Sequence, residues 1–577
     1  MTMLTKWGAA LDRSCPLPEY PRPQLRRESF YNLNGVWDYA VTPSGDEPEV
    51  WDGEIVVPFS PEAPLSGAAR GPAKDEYLHY RRGFTLPEGF QKSRVLLHFG
   101  AVDQIAEVFV NGVSAAKHSG GYWPFSADIT SLLREGENIL RVTVRDNADD
   151  PTFAYGKQRY KRGGMWYTAQ SGIWQTVWLE SVPEVYVKSL RITPEFDEAR
   201  VRIELETALE SSAAITCDVR AADGSFVAGS WAKGGVCVVP LPGFRAWTPD
   251  DPYLYTLDIT CGEDRVESYF AMRKFSYVEL GGHKVFGLNN APLFHNGLLD
   301  QGYYPDGLLT PPSDEAMVND IETMKRCGFN MLRKHIKIEP LRWYYHCDRL
   351  GMIVWQDMVS GGQPYSFLHV SALPTLGKVD LPDQDAKHYG RSGVLSRARF
   401  RREMADTVRL LYNCPCIALW TVFNEGWGQF DALDMANELK KLDPTRFIDH
   451  ASGWQDQGYE EMKSRHIYFR PVKLKNDGRA LALTEYGGYI LAVDGHRWTD
   501  KVFGYRICRD SAALAHDYEK LMLGQVLPHI RKEGLTAAVY TQITDVEEEL
   551  NGLMTYDREV LKIPEETLRE INKQLKF

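Results

Sequence analysis

The chain reads as a multidomain β plus α/β protein. A jelly-roll β-sandwich is predicted over residues 1–182, an immunoglobulin-like β-sandwich over 183–277 and a C-terminal (β/α)8 TIM barrel over 278–577. Three observations predict this. Up to about residue 182, short alternating apolar runs are broken by Gly, Pro, Asn and Asp, the spacing of an antiparallel sandwich. The pattern restarts after Pro183 for roughly 95 residues, which suits an immunoglobulin-like domain. After about residue 280, helical periods alternate with short apolar runs about eight times, the rhythm of a (β/α)8 barrel.

The elements follow in order. In the first domain, 95–99, 105–110 and 139–144 are strands, and Asn111-Gly112 is a hairpin turn because both positions tolerate positive φ. In the second, 185–187, 200–205, 214–219 and 253–259 are strands. In the third, residues 314–327 carry a 3.6-residue apolar period, with Ser313 to cap the helix and Gly328 to end it. Strands are expected at 329–333 and 352–355, ending at Glu425, near 447–448, near 467, ending at Glu485, and at 537–540. Helices are expected at 340–350, 397–412, 430–441 and 511–533. Residues 360–396, rich in Gly, Pro, Asp and His, are expected as a long loop over the catalytic face.

At 577 residues, two to four domains are expected. The net charge of -12 argues against nucleic acid or anionic membrane as the main partner, since both need basic patches. No run of 18 apolar residues occurs, and residues 1–24 are polar and Pro-rich without the apolar core of a signal peptide, so a cytoplasmic location is expected. The nine cysteines lack metal-ligand spacing; Cys414 and Cys416 are one residue apart, which fits neither a redox pair nor a zinc knuckle. Free thiols are expected, with no metal and no cofactor.

The chemistry is concentrated in two segments. Ile417 to Val422 is an apolar run that leads through Phe423 into Asn424-Glu425-Gly426-Trp427, and Ala480 to Leu483 leads into Thr484-Glu485-Tyr486-Gly487. In a barrel, the C-terminal strand ends gather the functional loops. A lone glutamate there is most often solvated or ion-paired, but two, each closing an apolar strand, are expected to serve as the acid and carboxylate pair that cleaves a glycosidic bond if their strands lie across the barrel. A retaining enzyme needs the two roughly 5–5.5 Å apart. Asn424 is placed to bond a sugar hydroxyl.

The chain resembles glycoside hydrolase family 2, the β-galactosidases, β-glucuronidases and β-mannosidases. The resemblance runs through Leu33-Asn34-Gly35-Val36-Trp37, Tyr80-Arg81-Arg82, residues 328–335 and 347–355, Asn413-Cys414-Pro415 leading to Trp420 and Asn424-Glu425, and Thr484-Glu485-Tyr486-Gly487. It implies that Glu425, after strand four, is the general acid/base and that Glu485, on strand seven, is the nucleophile. It implies a retaining exo-β-glycosidase whose partner is an oligosaccharide or glycoside, with homo-oligomerisation left open. Arg333 matches an arginine near the nucleophile, and His335 a substrate-facing histidine. His466 and Tyr468 match a turn whose tyrosine donates to the nucleophile. Trp355, Gln356, Asp357 and Trp427 are expected in the pocket. β-Glucuronidases carry an Asn-x-Lys pair late in the barrel that holds the sugar carboxylate; here that segment, with Asn551, contains Glu547-Glu548-Glu549 and no lysine. A neutral glycone such as galactose or L-arabinopyranose is therefore favoured. A uronide remains the alternative if Lys334, Lys337 or Arg391 reads the acid. A binding protein without catalysis would lack a catalytic carboxylate, and neither is missing.

Overall fold

The computed structural model of the protein describes residues 3–209, 214–375 and 380–577. The first sandwich stacks two antiparallel sheets. One orders Tyr31–Asn32, Val177–Val182, Arg94–Phe99 and Phe125–Asp128. The other orders Gly53–Val57, Gly35–Thr42, Tyr77–Thr85, Glu137–Arg145, Ile105–Val110 and Val113–Ser119. Alternation along each strand sends Trp37, Leu97, Val108, Val142 and Leu179 into a shared core. Asn111 (φ +51°) and Gly112 (φ +82°) join Val110 to its partner Val113, a two-residue turn whose twist matches the strands.

The second sandwich packs the sheet Val187–Glu195, Arg200–Thr207, Val236–Pro240 on the sheet Phe226–Ala232, Ile215–Arg220, Tyr255–Cys261, Asp264–Phe270. Val201, Ile203, Val219, Leu257 and Ile259 lie between them. Buried Arg27 ties the two sandwiches together: it grips Asp264 through Nε and Nη2 at 2.9 Å each, and Glu180 of the first sandwich at 3.0 Å. The fork geometry lets one guanidinium satisfy both acids.

Eight parallel strands form the barrel: β1 (His295–Asp300), β2 (Met331–Lys334), β3 (Ile353–Asp357), β4 (Ile417–Thr421), β5 (Phe447–Asp449), β6 (Met462–Ile467), β7 (Ala480–Gly487) and β8 (Leu535–Thr541). They hydrogen-bond in the order β5-β4-β3-β2-β1-β8-β7-β6. The seam between β5 and β6 is bridged by the Ser464 hydroxyl, 3.0 Å from both Asp449 Oδ1 and Ala451 O. The floor is closed by the hairpin Phe275–Leu280 and His283–Leu288, so a boundary at 277 falls inside a strand. Phe286 from this hairpin stacks on Phe447 at 4.3 Å and meets Trp355 edge-on at 5.9 Å.

Several expectations need correction. β1 has no counterpart in the strands read from hydropathy, because His-Asn-Gly-Leu-Leu-Asp alternates weakly. β4 stops at Thr421 rather than at Glu425; the chain runs on beside β5 through single bonds from Val422 N to Asp449 O and from Ser452 N to Phe423 O, both 2.8 Å. Within 360–396, residues Leu368–Ala372 and Leu373–Thr375 are helical turns, 376–379 lie outside the described residues, and the following helix begins at Val394. The expected 511–533 helix is three consecutive segments, Ser511–Leu521, Met522–Val526 and Leu527–Glu533, the middle one a π-type turn. The nine cysteines form no disulfide among the described residues, and no helix there is long and apolar enough to cross a membrane.

Candidate active site

Arg333, on β2 and fully buried, organises the C-terminal face of the barrel. Nε and Nη2 grip Asp357 of β3 at 3.0 Å each, Nη1 reaches Glu485 Oε1 of β7 at 3.1 Å, and Nη2 reaches Asn424 Oδ1 at 2.7 Å. A guanidinium in a low-dielectric interior must be surrounded this way, because an unpaired charge there is costly. Three strands are thereby fixed relative to one another by one side chain. Asp357 also holds His335 Nδ1 at 2.8 Å; burial keeps that imidazole below its ordinary pKa, and Nε2 has no partner among the described residues. The neighbouring Arg333 and His335 in turn hold the Asp357 carboxyl down at about 2 against the opposing effect of burial.

Glu485 receives a second donor. The Tyr468 hydroxyl lies 2.5 Å from Oε2, and its ring is stacked on Tyr505 with centroids 3.9 Å apart. Glu425 stands in the loop after β4 with φ +54°, a left-handed conformation that strains a residue with a Cβ. Glu425 N donates to Ser452 O at 2.9 Å and Trp454 Nε1 donates to Glu425 O at 2.9 Å, which fixes that conformation. The side chain keeps 23% of its surface exposed, and burial raises its pKa above the ordinary carboxylate range against the pull of Lys157, His335 and Arg333.

His466, from the end of β6, sits between the two glutamates. Its Nδ1 is 2.9 Å from Glu425 Oε1 and 3.6 Å from Glu485 Oε2, and one oxygen from each glutamate and a ring nitrogen of His466 all lie within 4.8 Å of one another. Burial pushes the imidazole down to about 3, so it is neutral. Its Nε2 is 3.1 Å from Ser452 Oγ, Ser452 donates to Thr484 Oγ1 at 3.0 Å, and Thr484 donates to Arg465 O. With the serine proton committed to Thr484, Nε2 is the protonated nitrogen and donates to Ser452. Nδ1 is then left as an acceptor facing Glu425.

Glu425, Glu485, Asn424, Arg333, His335, Asp357, His466 and Tyr468 thus come together. Trp355 and Gln356 do not. Trp355 packs in the floor against Phe286, with Nε1 bonded to His295 at 3.0 Å, and Gln356 points outward to the Tyr344 hydroxyl at 2.6 Å and Lys337 O at 2.8 Å. The strand period of two explains this: Asp357 faces inward, Gln356 faces the helices, and Trp355 faces inward one layer lower. Trp427 is buried against Tyr155 and Trp166. Asn551 makes no bond to either glutamate; its Oδ1 accepts from Gln542 at 2.8 Å. Lys334 pairs with Asp300 and Glu339, Lys337 with Glu339, and Arg391 with Gly428 O, Ser396 and Ser360, so none of the three basic groups named above is free at the site.

Sequence reading missed Lys157, Trp166 and Tyr167, which the first sandwich lays across the barrel mouth, and Tyr505 and Ser452 from barrel loops. The first group had a signal. Residues 157–162 hold four cations, Lys157, Arg159, Lys161 and Arg162, among aromatics, unlike the strands around them. The Glu547-Glu548-Glu549 run is also not a bare acidic patch. Thr168 N donates to Glu547 at 2.9 Å, Gly164 N to Glu548 at 2.9 Å, and the Tyr167 hydroxyl to Glu549, so the run anchors this segment.

A barrel with two carboxylates meeting over β4 and β7, behind two β-sandwiches, is an architecture with known relatives. The profile described as "Glycosyl hydrolases family 2, sugar binding domain" matches residues 64–183, "Glycosyl hydrolases family 2" matches 185–273, and "Glycosyl hydrolases family 2, TIM barrel domain" matches 311–475. The chain is 25% identical over 387 residues to a β-galactosidase of Thermoanaerobacter pseudethanolicus, covering 64% of this chain and 47% of that protein. It is 22% identical over 535 residues to a β-glucuronidase of Paenibacillus borealis, covering 82% of this chain and 85% of that one. The chain spans about half the length of the β-galactosidase. A solved β-glucuronidase from an uncultured Clostridium species superimposes with a TM-score of 0.73 at 19% identity, over 96% of this chain and 99% of the other, which is a likeness of fold. The chain belongs to glycoside hydrolase family 2.

Proposed function

We propose that the protein is a retaining β-glycosidase that cleaves terminal β-linked sugars by double displacement. The carrying observation is the approach of Glu425 and Glu485, whose facing oxygens lie within 4.8 Å. A separation that small suits direct attack by one carboxylate, whereas inversion needs room for a water between the two groups. Glu485, held by Arg333 and Tyr468, is the nucleophile: Oε2 attacks the anomeric carbon and forms a glycosyl ester. Glu425, whose pKa burial raises and so shifts toward the protonated form, gives its proton to the leaving oxygen, then as a carboxylate takes a proton from the water that cleaves the ester. Before substrate binds, the unprotonated Nδ1 of His466 accepts a hydrogen bond from the protonated Glu425 Oε1 at 2.9 Å, which orients the acid. Asn424 Oδ1 is committed to Arg333, so its amide N–H groups are the ones available to a sugar hydroxyl.

The relatives named above include both a β-galactosidase and a β-glucuronidase, so either glycone is compatible with the family. The preference for a neutral sugar rests on the missing lysine and on repulsion by the 547–549 acids; the bonds those acids make to residues 164–168 weaken the second premise and leave the first untouched. Proton NMR of the first product released from an aryl β-glycoside tests the mechanism. The β-anomer should appear first and mutarotate to the α-anomer; initial release of the α-anomer would mean inversion and would overturn the assignment of Glu485.

A further inference from the structure

The loop after β5, Ser452-Gly453-Trp454, closes on His466 and Glu425 together. Ser452 Oγ lies 3.1 Å from His466 Nε2, and Ser452 O accepts from Glu425 N at 2.9 Å. Gly453 has φ +93°, and a Cβ there would stand 2.7 Å from His466 Nδ1, so glycine lets the backbone lie against the ring. Trp454 Nε1 donates to Glu425 O at 2.9 Å, and its indole meets the imidazole edge-on, with 5.5 Å between centroids and 68° between planes. Three consecutive residues therefore fix where the ring sits. What they leave open is which ring nitrogen carries the proton.

Two hydroxyls decide that. Ser452 and Thr484 are fully buried, so bulk water partners neither. Thr484, which immediately precedes Glu485 on β7, has Arg465 O as its acceptor at 3.5 Å and itself accepts from Ser452 at 3.0 Å. A hydroxyl has one proton to give, so Ser452 meets His466 as an acceptor. The protons then all point one way, from Glu425 to His466, to Ser452, to Thr484 and to the Arg465 carbonyl. Turning the serine proton toward His466 would leave two hydroxyl oxygens facing each other at 3.0 Å with no proton between them. Hydrogen bonds aligned in series also polarise one another, which reinforces the direction.

Building on the glycosidase reading, we propose that Ser452 and Thr484 are positioning residues that keep Glu425 in its acid form, by holding His466 in the tautomer whose Nδ1 accepts from Glu425. Neither hydroxyl touches the sugar; both act through the imidazole. In the opposite tautomer Nδ1–H would donate to Glu425 and stabilise its carboxylate, which is the wrong form for protonating a leaving group. The other charged or titratable groups facing Glu425 are Lys157 from the first sandwich, Arg333 and His335 from the end of β2, Glu485 from β7, and the phenols of Tyr365, Tyr468 and Tyr505. Changes at Ser452 and Thr484 leave all of these side chains in place, so a change in the acid is read against a constant background.

The test follows the alkaline limb of kcat/KM on an aryl β-glycoside, which is set by loss of the Glu425 proton. In Thr484→Val, a nearly isosteric change, the serine proton has His466 Nε2 as its acceptor, so Nδ1 becomes the protonated nitrogen and donates to Glu425. The carboxylate is stabilised, its pKa falls, and the limb should move to lower pH by about one pH unit. Ser452→Ala removes the acceptor of Nε2 and should move the limb the same way. Thr484→Ser keeps the hydroxyl and should leave the limb in place. Above the shifted limb, the loss in kcat/KM should be larger for an alkyl than for a nitrophenyl leaving group, whereas a structural defect lowers both alike. A limb unmoved in Thr484→Val, or moved as far by Thr484→Ser, overturns the proposal. Nitrogen-15 NMR of histidine-labelled protein reads the tautomer without turnover. The His466 signals, assigned by their loss in His466→Gln, should show a protonated Nε2 in the wild type and a protonated Nδ1 in Thr484→Val; a bare Nε2 in the wild type also overturns the proposal. If no β-glycoside is hydrolysed, the glycosidase reading fails, and the tautomer measurement still decides the direction of the hydrogen bonds.

Discussion

Glu485→Gln is expected to lower kcat on an aryl β-glycoside by about four orders of magnitude or more, because removing a nucleophile eliminates the covalent route itself. The substitution is nearly isosteric. The glutamine oxygen still accepts from Arg333 Nη1 or from Tyr468, so the packing of β7 is retained and the loss falls on chemistry. Steady-state kinetics with unchanged circular dichroism reads this directly. Turnover within tenfold of wild type would show that another group attacks the sugar.

Glu425→Ala is expected to divide substrates by leaving group. An alkyl β-glycoside needs its oxygen protonated and should lose about 100- to 10,000-fold in kcat/KM, whereas an activated nitrophenyl glycoside should lose far less in the glycosylation step. The pH profile gives an independent reading. The first step requires the protonated form of Glu425, which is lost as pH rises through its pKa, so this group sets the alkaline limb. Burial raises that pKa, so the limb lies above the range of an ordinary carboxylate. Removal of the side chain should flatten the limb. An alkaline limb unchanged in Glu425→Ala would place the acid elsewhere.

Much of this site was legible in the sequence because its parts are local. Glu425 follows the apolar strand β4 and Glu485 lies near the end of the apolar strand β7, and Arg333, Asp357, His466 and Tyr468 fall at or just past the ends of β2, β3 and β6, where a barrel exposes side chains. The sandwiches were legible for the same reason, through alternation and the Asn111-Gly112 turn. Placement within a layer was less legible. Trp355 and Gln356 flank the site in sequence, yet the pleat sends one to the floor and the other to the helices. β1 was obscured by its polar residues, since a strand in the barrel wall can bury His295 and Asn296 that no hydropathy pattern flags. Contacts between domains were the least legible. Nothing in the order of residues shows that Glu547, Glu548 and Glu549 bind Thr168, Gly164 and Tyr167 of the first sandwich, nearly 400 positions earlier. The strained φ of Glu425 also depends on partners distant in sequence, Ser452 and Trp454.

The most direct measurement is mechanism-based trapping. A 2-deoxy-2-fluoro β-glycosyl donor slows both steps, and a good leaving group lets the first outrun the second, so a covalent intermediate accumulates. Incubated with the galactosyl and the galacturonyl reagent in turn, the protein should gain the mass of one fluoroglycosyl group. Peptide mapping should place it on Glu485 in the segment Ala480–Gly487. Label on any other residue, or inactivation without a covalent adduct, would contradict the double-displacement mechanism built on Glu425 and Glu485.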